Sequence, residues 1–139
     1  SEGLLLLTTD GKVSEYVRGR KVEKEYYVQV DGCIGQQEIN RLIKGVEIGF
    51  DGKKYITKSC KSSLISEPSF KDRTQKIRDE RHGPTSWITI TLTEGKFRQV
   101  RKMTAAVGFP TLRLIRVRVD SILLEGLKLG EVKEVESFF

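Results

Sequence analysis

Cysteine and histidine are almost missing from this chain: Cys33 and Cys60 are the only thiols and His82 the only imidazole. Two separated thiols build no disulfide framework, and one histidine without neighbouring ligands assembles no zinc site, so no metal is expected. The same scarcity removes Ser-His-Asp and Cys-His catalytic sets, because His82 falls in a polar, turn-like stretch and reads as a surface residue. Long apolar runs are missing as well. The longest, Leu4 to Leu7, is far short of the roughly 20 residues that span a bilayer. No basic-then-apolar leader stands ahead of it, so no membrane partner is expected, and the expected compartment is the cytosol. The sequence carries no internal repeat and no low-complexity linker.

What is present suits one core. At 139 residues, 37% hydrophobic and 32% charged, the chain is long enough for one compact domain and too short for two, so residues 1–139 are read as a single domain or part of one. The net charge of +6 is unevenly placed. Seven basic residues (Lys96, Arg98, Arg101, Lys102, Arg113, Arg116, Arg118) and no acidic one lie between Lys96 and Val119, while the rest holds 18 basic against 19 acidic. Such a local excess is the footprint of a surface that meets phosphates, although charge alone fits a solvated basic face equally well.

Periodicity gives the elements. Gly3 to Thr8 reads as a buried strand closed by a turn at Thr9-Asp10-Gly11-Lys12, which makes Asp10 a turn residue. A brief helix is read at Val13 to Arg18, and the alternation of Tyr26, Val28 and Val30 predicts a strand over Lys24 to Val30. Ile39, Leu42 and Ile43 mark a helix over Gln36 to Lys44, stopped by Gly45. Val46 to Ile48, the Asp51-Gly52 turn and Tyr55 to Ile65 suggest a hairpin with a long second arm. Glu67 to Pro84 reads as a loop. Trp87 to Leu92 reads as a strand with one apolar face, Lys96 to Val107 as a helix ended by Gly108 and Pro110, Leu112 to Val119 as a long strand and Glu131 to Val135 as a closing one. This order argues for an α+β fold, with helices flanking a mixed, mainly antiparallel sheet.

Four blocks in order carry a resemblance. They are Ser1-Glu2-Gly3-Leu4-Leu5-Leu6-Leu7-Thr8, Lys24-Glu25-Tyr26-Tyr27-Val28-Gln29-Val30, Pro84-Thr85-Ser86-Trp87 leading to Thr93-Glu94-Gly95-Lys96-Phe97-Arg98-Gln99-Val100-Arg101-Lys102-Met103, and Gly108-Phe109-Pro110-Thr111-Leu112-Arg113-Leu114-Ile115-Arg116. Together they resemble the RsuA-type pseudouridine synthases, and especially the RluE branch that modifies large-subunit (23S) ribosomal RNA. The resemblance implies isomerisation of a uridine in ribosomal RNA, no metal, nucleotide or organic cofactor, and ribosomal RNA as partner. The family's nucleophile is the Asp of Arg-Leu-Asp-x-x-Ser-x-Gly-Leu. Ser1-Glu2-Gly3-Leu4 matches only the tail of that pattern, so the Asp is expected three positions before Ser1, and the chain by itself is expected to be inactive.

The resemblance also assigns side chains. Arg101 matches the arginine that pairs with the nucleophilic carboxylate, a guanidinium that favours the charged form and holds its direction. Tyr26 matches the active-site tyrosine, whose face can stack on an extruded uracil. Taken without the family, Tyr26 would be an ordinary strand aromatic packed in a core. Leu114 falls where the family sets an apolar residue against the base, and core packing explains it almost as well. Lys96, Arg98, Lys102, Arg113 and Arg116 are candidates for backbone phosphates, with Arg113 and Arg116 on opposite faces of one strand. A different class of reading remains, a non-catalytic RNA-binding module using the Lys96 to Val119 surface for affinity. A sheet without its first strand is further expected to expose an edge and self-associate.

Overall fold

The structure is a computed structural model that describes residues 2–3, 22–68, 83–96, 98–120 and 122–123. Eight strands and two helices occur among these: β1 (Glu2–Gly3), β2 (Lys24–Asp31), α1 (Gln36–Lys44), β3 (Glu47–Phe50), β4 (Lys53–Ile56), β5 (Lys61–Ile65), β6 (Thr85–Leu92), α2 (Gln99–Ala106), β7 (Thr111–Val119) and β8 (Ile122–Leu123). The α+β architecture with a mainly antiparallel sheet is the one expected. The main sheet runs β1-β7-β2-β6-β5, with β8 also on β7, and only β1 pairs in parallel. The strand expected beyond Gly3, the turn with Asp10, the helix at Val13 to Arg18, most of the Glu67 to Pro84 loop with His82, and the strand at Glu131 to Val135 lie outside the described residues.

β2 is the middle of the sheet. Its eight residues all pair with β6, and seven of them pair with β7. Alternation follows from this: Val28 and Val30 are fully buried on one face, where Ile88, Ile90, Leu92 and Leu114 join them. Onto that face fold Ile39 and Leu42 of α1, Val100 and Met103 of α2, and Ile48 of β3. Burying such side chains stabilises by about 1.5–3 kcal/mol each, which fixes both helices to the sheet without help from helix propensity. The opposite face is mixed. Trp87 of β6 and Ile115 of β7 are buried there outside this cluster, whereas Thr85, Thr89 and Thr91 fill the rest of that face of β6.

Two element boundaries differ from expectation. The second arm of the hairpin is not continuous: β4 pairs with β3 in a separate two-stranded sheet, whereas β5 is the edge of the main sheet on β6. The break is chemical. Thr57 is buried, its N–H donates to the Val46 carbonyl at 2.9 Å, its hydroxyl accepts the Val46 N–H at 2.8 Å, and three residues on the Cys60 N–H donates to Ile43 at 3.0 Å. These bonds turn the chain from hairpin to sheet. The hairpin's own turn has Asp51 and Gly52 at φ of 53° and 74°, both left-handed, as a two-residue turn matched to strand twist requires. The second difference is α2, which begins at Gln99 and not at Lys96. Arg98 precedes it at φ 54°, outside the right-handed helical region, so the apolar stripe of Val100, Met103 and Val107 starts one turn after the basic run does.

Candidate active site

Residues that stand opposite one another in an antiparallel pair share a face. The register Tyr26↔Arg116 and Val28↔Leu114 therefore sets these four on the face that carries the core, and Tyr27↔Ile115 with Gln29↔Arg113 on the other. Arg113 and Arg116 serve different sides, as alternation predicts. Parallel pairing sets Gly3 against Arg116. Tyr26, Arg116 and Gly3 thus occupy one row across three adjacent strands, and Gly3 lies two strand spacings, roughly 10 Å, from Tyr26.

Tyr26 is half-buried and packs against the core cluster, while Leu114 is a member of it. Lys24, two residues before Tyr26 on the same face, is buried and donates from Nζ to the Thr93 carbonyl at 3.4 Å. Burial holds its ammonium below the ordinary value, and the neighbouring Arg116 charge adds to the effect. The Tyr26 face is thereby cationic at its edge. Sequence reading missed Lys24, although a charged residue at an inward position of a period-two strand is a readable signal.

Arg101 is the third residue of α2 and half-buried. Its carbonyl accepts the Thr104 hydroxyl at 3.2 Å, and that hydroxyl lies 2.8 Å from the Thr111 hydroxyl at the start of β7. Residues three apart on a helix are neighbours on one side, so Arg101 belongs to the row that meets β7, the strand of Leu114 and Arg116. Helix and sheet share a single cluster through Val100, Met103, Val28 and Leu114. An open depression of about 460 Å³ lined by Arg41, Lys44, Gly45, Val46, Glu47 and Ala106 contains none of the predicted site residues.

The remaining cations divide by what holds them. Lys96 Nζ lies 5.1 Å from the ring centroid of Phe50 and 5.3 Å from that of Tyr55. Lys102 Nζ donates to the Gly49 carbonyl at 2.9 Å. Both therefore anchor α2 to the β3–β4 hairpin and keep their charge near the surface. Arg98 is exposed, and Arg113 and Arg116 are half-buried. Arg118, counted in the basic segment, is different: it pairs with Glu25 at 2.9 Å and with Glu23 at 3.2 Å, and Glu23 also pairs with Lys61. That charge is consumed internally.

Glu94 is the acidic residue nearest the basic run, and it is 5% exposed. One carboxylate oxygen accepts the Tyr55 hydroxyl, and the other accepts the Lys58 N–H and the Gln99 side-chain amide, each at 2.8 Å. Burial pushes this carboxyl up, but the three hydrogen bonds outweigh it and leave it below its ordinary value of 4.5, hence ionised near neutrality. Of the two thiols, Cys33 is exposed and Cys60 is half-buried, with its Sγ donating to the Leu42 carbonyl at 3.2 Å. Burial pushes the Cys60 thiol up to about 11, which leaves little thiolate for nucleophilic attack. No helix among the described residues is long and apolar enough to cross a membrane.

Comparison with known proteins bears on the family and the fold. A family model described as RNA pseudouridylate synthase matches residues 1–106. A protein of Vibrio parahaemolyticus named ribosomal large subunit pseudouridine synthase E is 41% identical over 138 residues, covering 98% of this chain and 56% of its own length. One of Yersinia pestis named ribosomal large subunit pseudouridine synthase B is 34% identical over 139 residues, covering 98% and 38%. A solved structure titled crystal structure of pseudouridylate synthase superposes with a TM-score of 0.70 at 28% identity, covering 93% of this chain and 49% of that one. The chain thus spans little more than half the length of the Vibrio relative.

Proposed function

Because the chain belongs to the RNA pseudouridylate synthase family, we propose that it forms the larger part of a catalytic domain that converts a uridine of large-subunit ribosomal RNA to pseudouridine. The observation that carries this reading is the row Tyr26, Arg116, Gly3 across β2, β7 and β1. Continued upstream in the same parallel register, the chain ahead of Ser1 would run from the level of Leu114 to that of Thr111, which touches Thr104 of α2. An Asp three positions before Ser1 would stand there, within the ambit of the helix that bears Arg101. The names of the relatives support ribosomal RNA as substrate.

In this reading the bond between uracil and ribose breaks, the freed base turns, and it rejoins through its carbon 5, whose proton is lost. Arg101 keeps the Asp carboxylate ionised and aimed. Tyr26 receives the extruded base on its ring, a contact worth roughly 1–3 kcal/mol, and Leu114 walls the site against water. Arg98, Lys102, Lys96, Arg113 and Arg116 hold phosphates and orient the RNA without reading its sequence. The full-length protein should release tritium from ribosomal RNA labelled at carbon 5 of uridine, and Asp→Asn at the expected nucleophile should stop it. Tight RNA binding with no release would leave only the module reading.

The division of the cations yields a second expected result. Arg98→Ala and Lys102→Ala should weaken RNA binding uniformly across sequences and flatten the slope of log K against log salt by about 0.7–0.9 for each phosphate no longer neutralised. Arg118→Ala should leave that slope unchanged, since its guanidinium is engaged by Glu23 and Glu25, and should instead lower the melting temperature. Filter-binding titrations at several salt concentrations, with melting curves beside them, separate the two classes.

A further inference from the structure

Helix α2 starts without the usual means of starting. Its cap position is Arg98 in a left-handed conformation, no side chain caps it, and its first turn holds no acidic residue. Val100, Met103 and Val107 seat the helix in the core from its second residue to its C-cap, and the first turn has a further hold outside that cluster. Gln99, the first helical residue, is 3% exposed. Its side-chain oxygen accepts the Lys96 N–H at 3.1 Å, and its amide donates to Glu94 at 2.8 Å. Glu94 in turn takes the Tyr55 hydroxyl and the Lys58 N–H, which flank the end of β4. One buried carboxylate therefore ties the start of α2 to the hairpin.

We propose that Glu94 is a positioning residue for Arg101: by fixing Gln99 to the β3–β4 hairpin it sets where the guanidinium two residues later stands. The inference rests on the reading of Arg101 given above. The distance involved is short, since two residues advance a helix by about 3 Å along its axis, and a misplacement near 1 Å in a catalytic group costs on the order of 100-fold in rate. Glu94→Gln keeps the shape but confronts the Gln99 amide or the Lys58 N–H with a second donor, so the link fails while the side chain's volume is retained.

The test is a double-mutant cycle in the full-length protein, read as the single-turnover rate of tritium release and the affinity for ribosomal RNA. Glu94→Gln should slow release about 10-fold in the Arg101 background and less than about 2-fold in an Arg101→Lys background, with RNA affinity within about 2-fold of the parent in both. Tyr55→Phe, which removes only the hydroxyl, should give the same non-additivity at roughly 2- to 5-fold should Glu94→Gln fold poorly. Equal losses in the two backgrounds, or a loss confined to RNA affinity, would overturn the proposal. So would an unaffected Glu94→Gln protein in which Arg101→Lys is itself impaired. Should Arg101→Lys release tritium as fast as the parent, the underlying assignment of Arg101 fails, and the Glu94 link fails with it.

Discussion

Replacing Arg101 by alanine in the full-length protein should cut the single-turnover rate of tritium release by about 100- to 1,000-fold while changing RNA affinity by less than about 3-fold. The asymmetry follows from position. Arg101 is half-buried on the third residue of α2, in the helix row that meets β7 through Thr104 and Thr111. Its neighbour Lys102 reaches the hairpin and Arg98 is exposed, so the charges that meet RNA first survive the substitution. In the proposed site what disappears is a fixed cation beside the nucleophilic carboxylate, which stabilises its ionised form most where water is excluded. A loss shared equally between affinity and rate would make Arg101 one more phosphate contact.

Gly45→Ala should be the most destabilising small substitution, lowering stability by about 2–5 kcal/mol. Gly45 ends α1 at φ 110°, with its N–H donating to the Arg41 carbonyl at 3.1 Å. A β-carbon added there would sit 2.2 Å from the Thr57 carbonyl oxygen, a backbone atom that cannot swing aside. Thr57 itself is clasped to Val46 by two hydrogen bonds, so relief of the clash must open the junction between the hairpin and β5. Gly49→Ala is the matched control, because a β-carbon added at Gly49 meets nothing within 4 Å and the backbone there is not left-handed. Urea denaturation of both variants, with slopes compared, separates a local opening from a loss of the whole fold.

Much of this fold was legible in the sequence because burial repeats at the period of the element. Val28 and Val30 on β2, Ile39 and Leu42 on α1, and Val100 and Met103 on α2 are buried where alternation or helical spacing sets them. What escaped depends on single polar side chains acting across the fold. The split between β4 and β5 is made by Thr57, whose partner Val46 lies eleven residues away. The late start of α2 depends on an Arg98 backbone angle and on a carboxylate bonded across 39 residues to Tyr55. The surroundings of Lys96 escaped as well, because nothing local shows that Phe50 and Tyr55 stand beneath its ammonium. The candidate site was legible in part: strand alternation sets Leu114 and Arg116 on one face, the roles of Tyr26, Leu114 and Arg116 come from the family resemblance, and Lys24 and Glu94 are charged residues in the interior that neither singled out.

The central place of β2 divides the labour of recognition between stiff and yielding parts. A strand bonded on both flanks along most of its length opens only when the sheet does, so the ring of Tyr26 stands on a slowly opening backbone. The helix opposite is held at its first turn by Val100 in the core, by the Gln99 N–H on the Lys96 carbonyl and by the link from Gln99 to Glu94. In the proposed reaction the platform for the base thus stays put while the RNA is fitted against the helix and its hairpin.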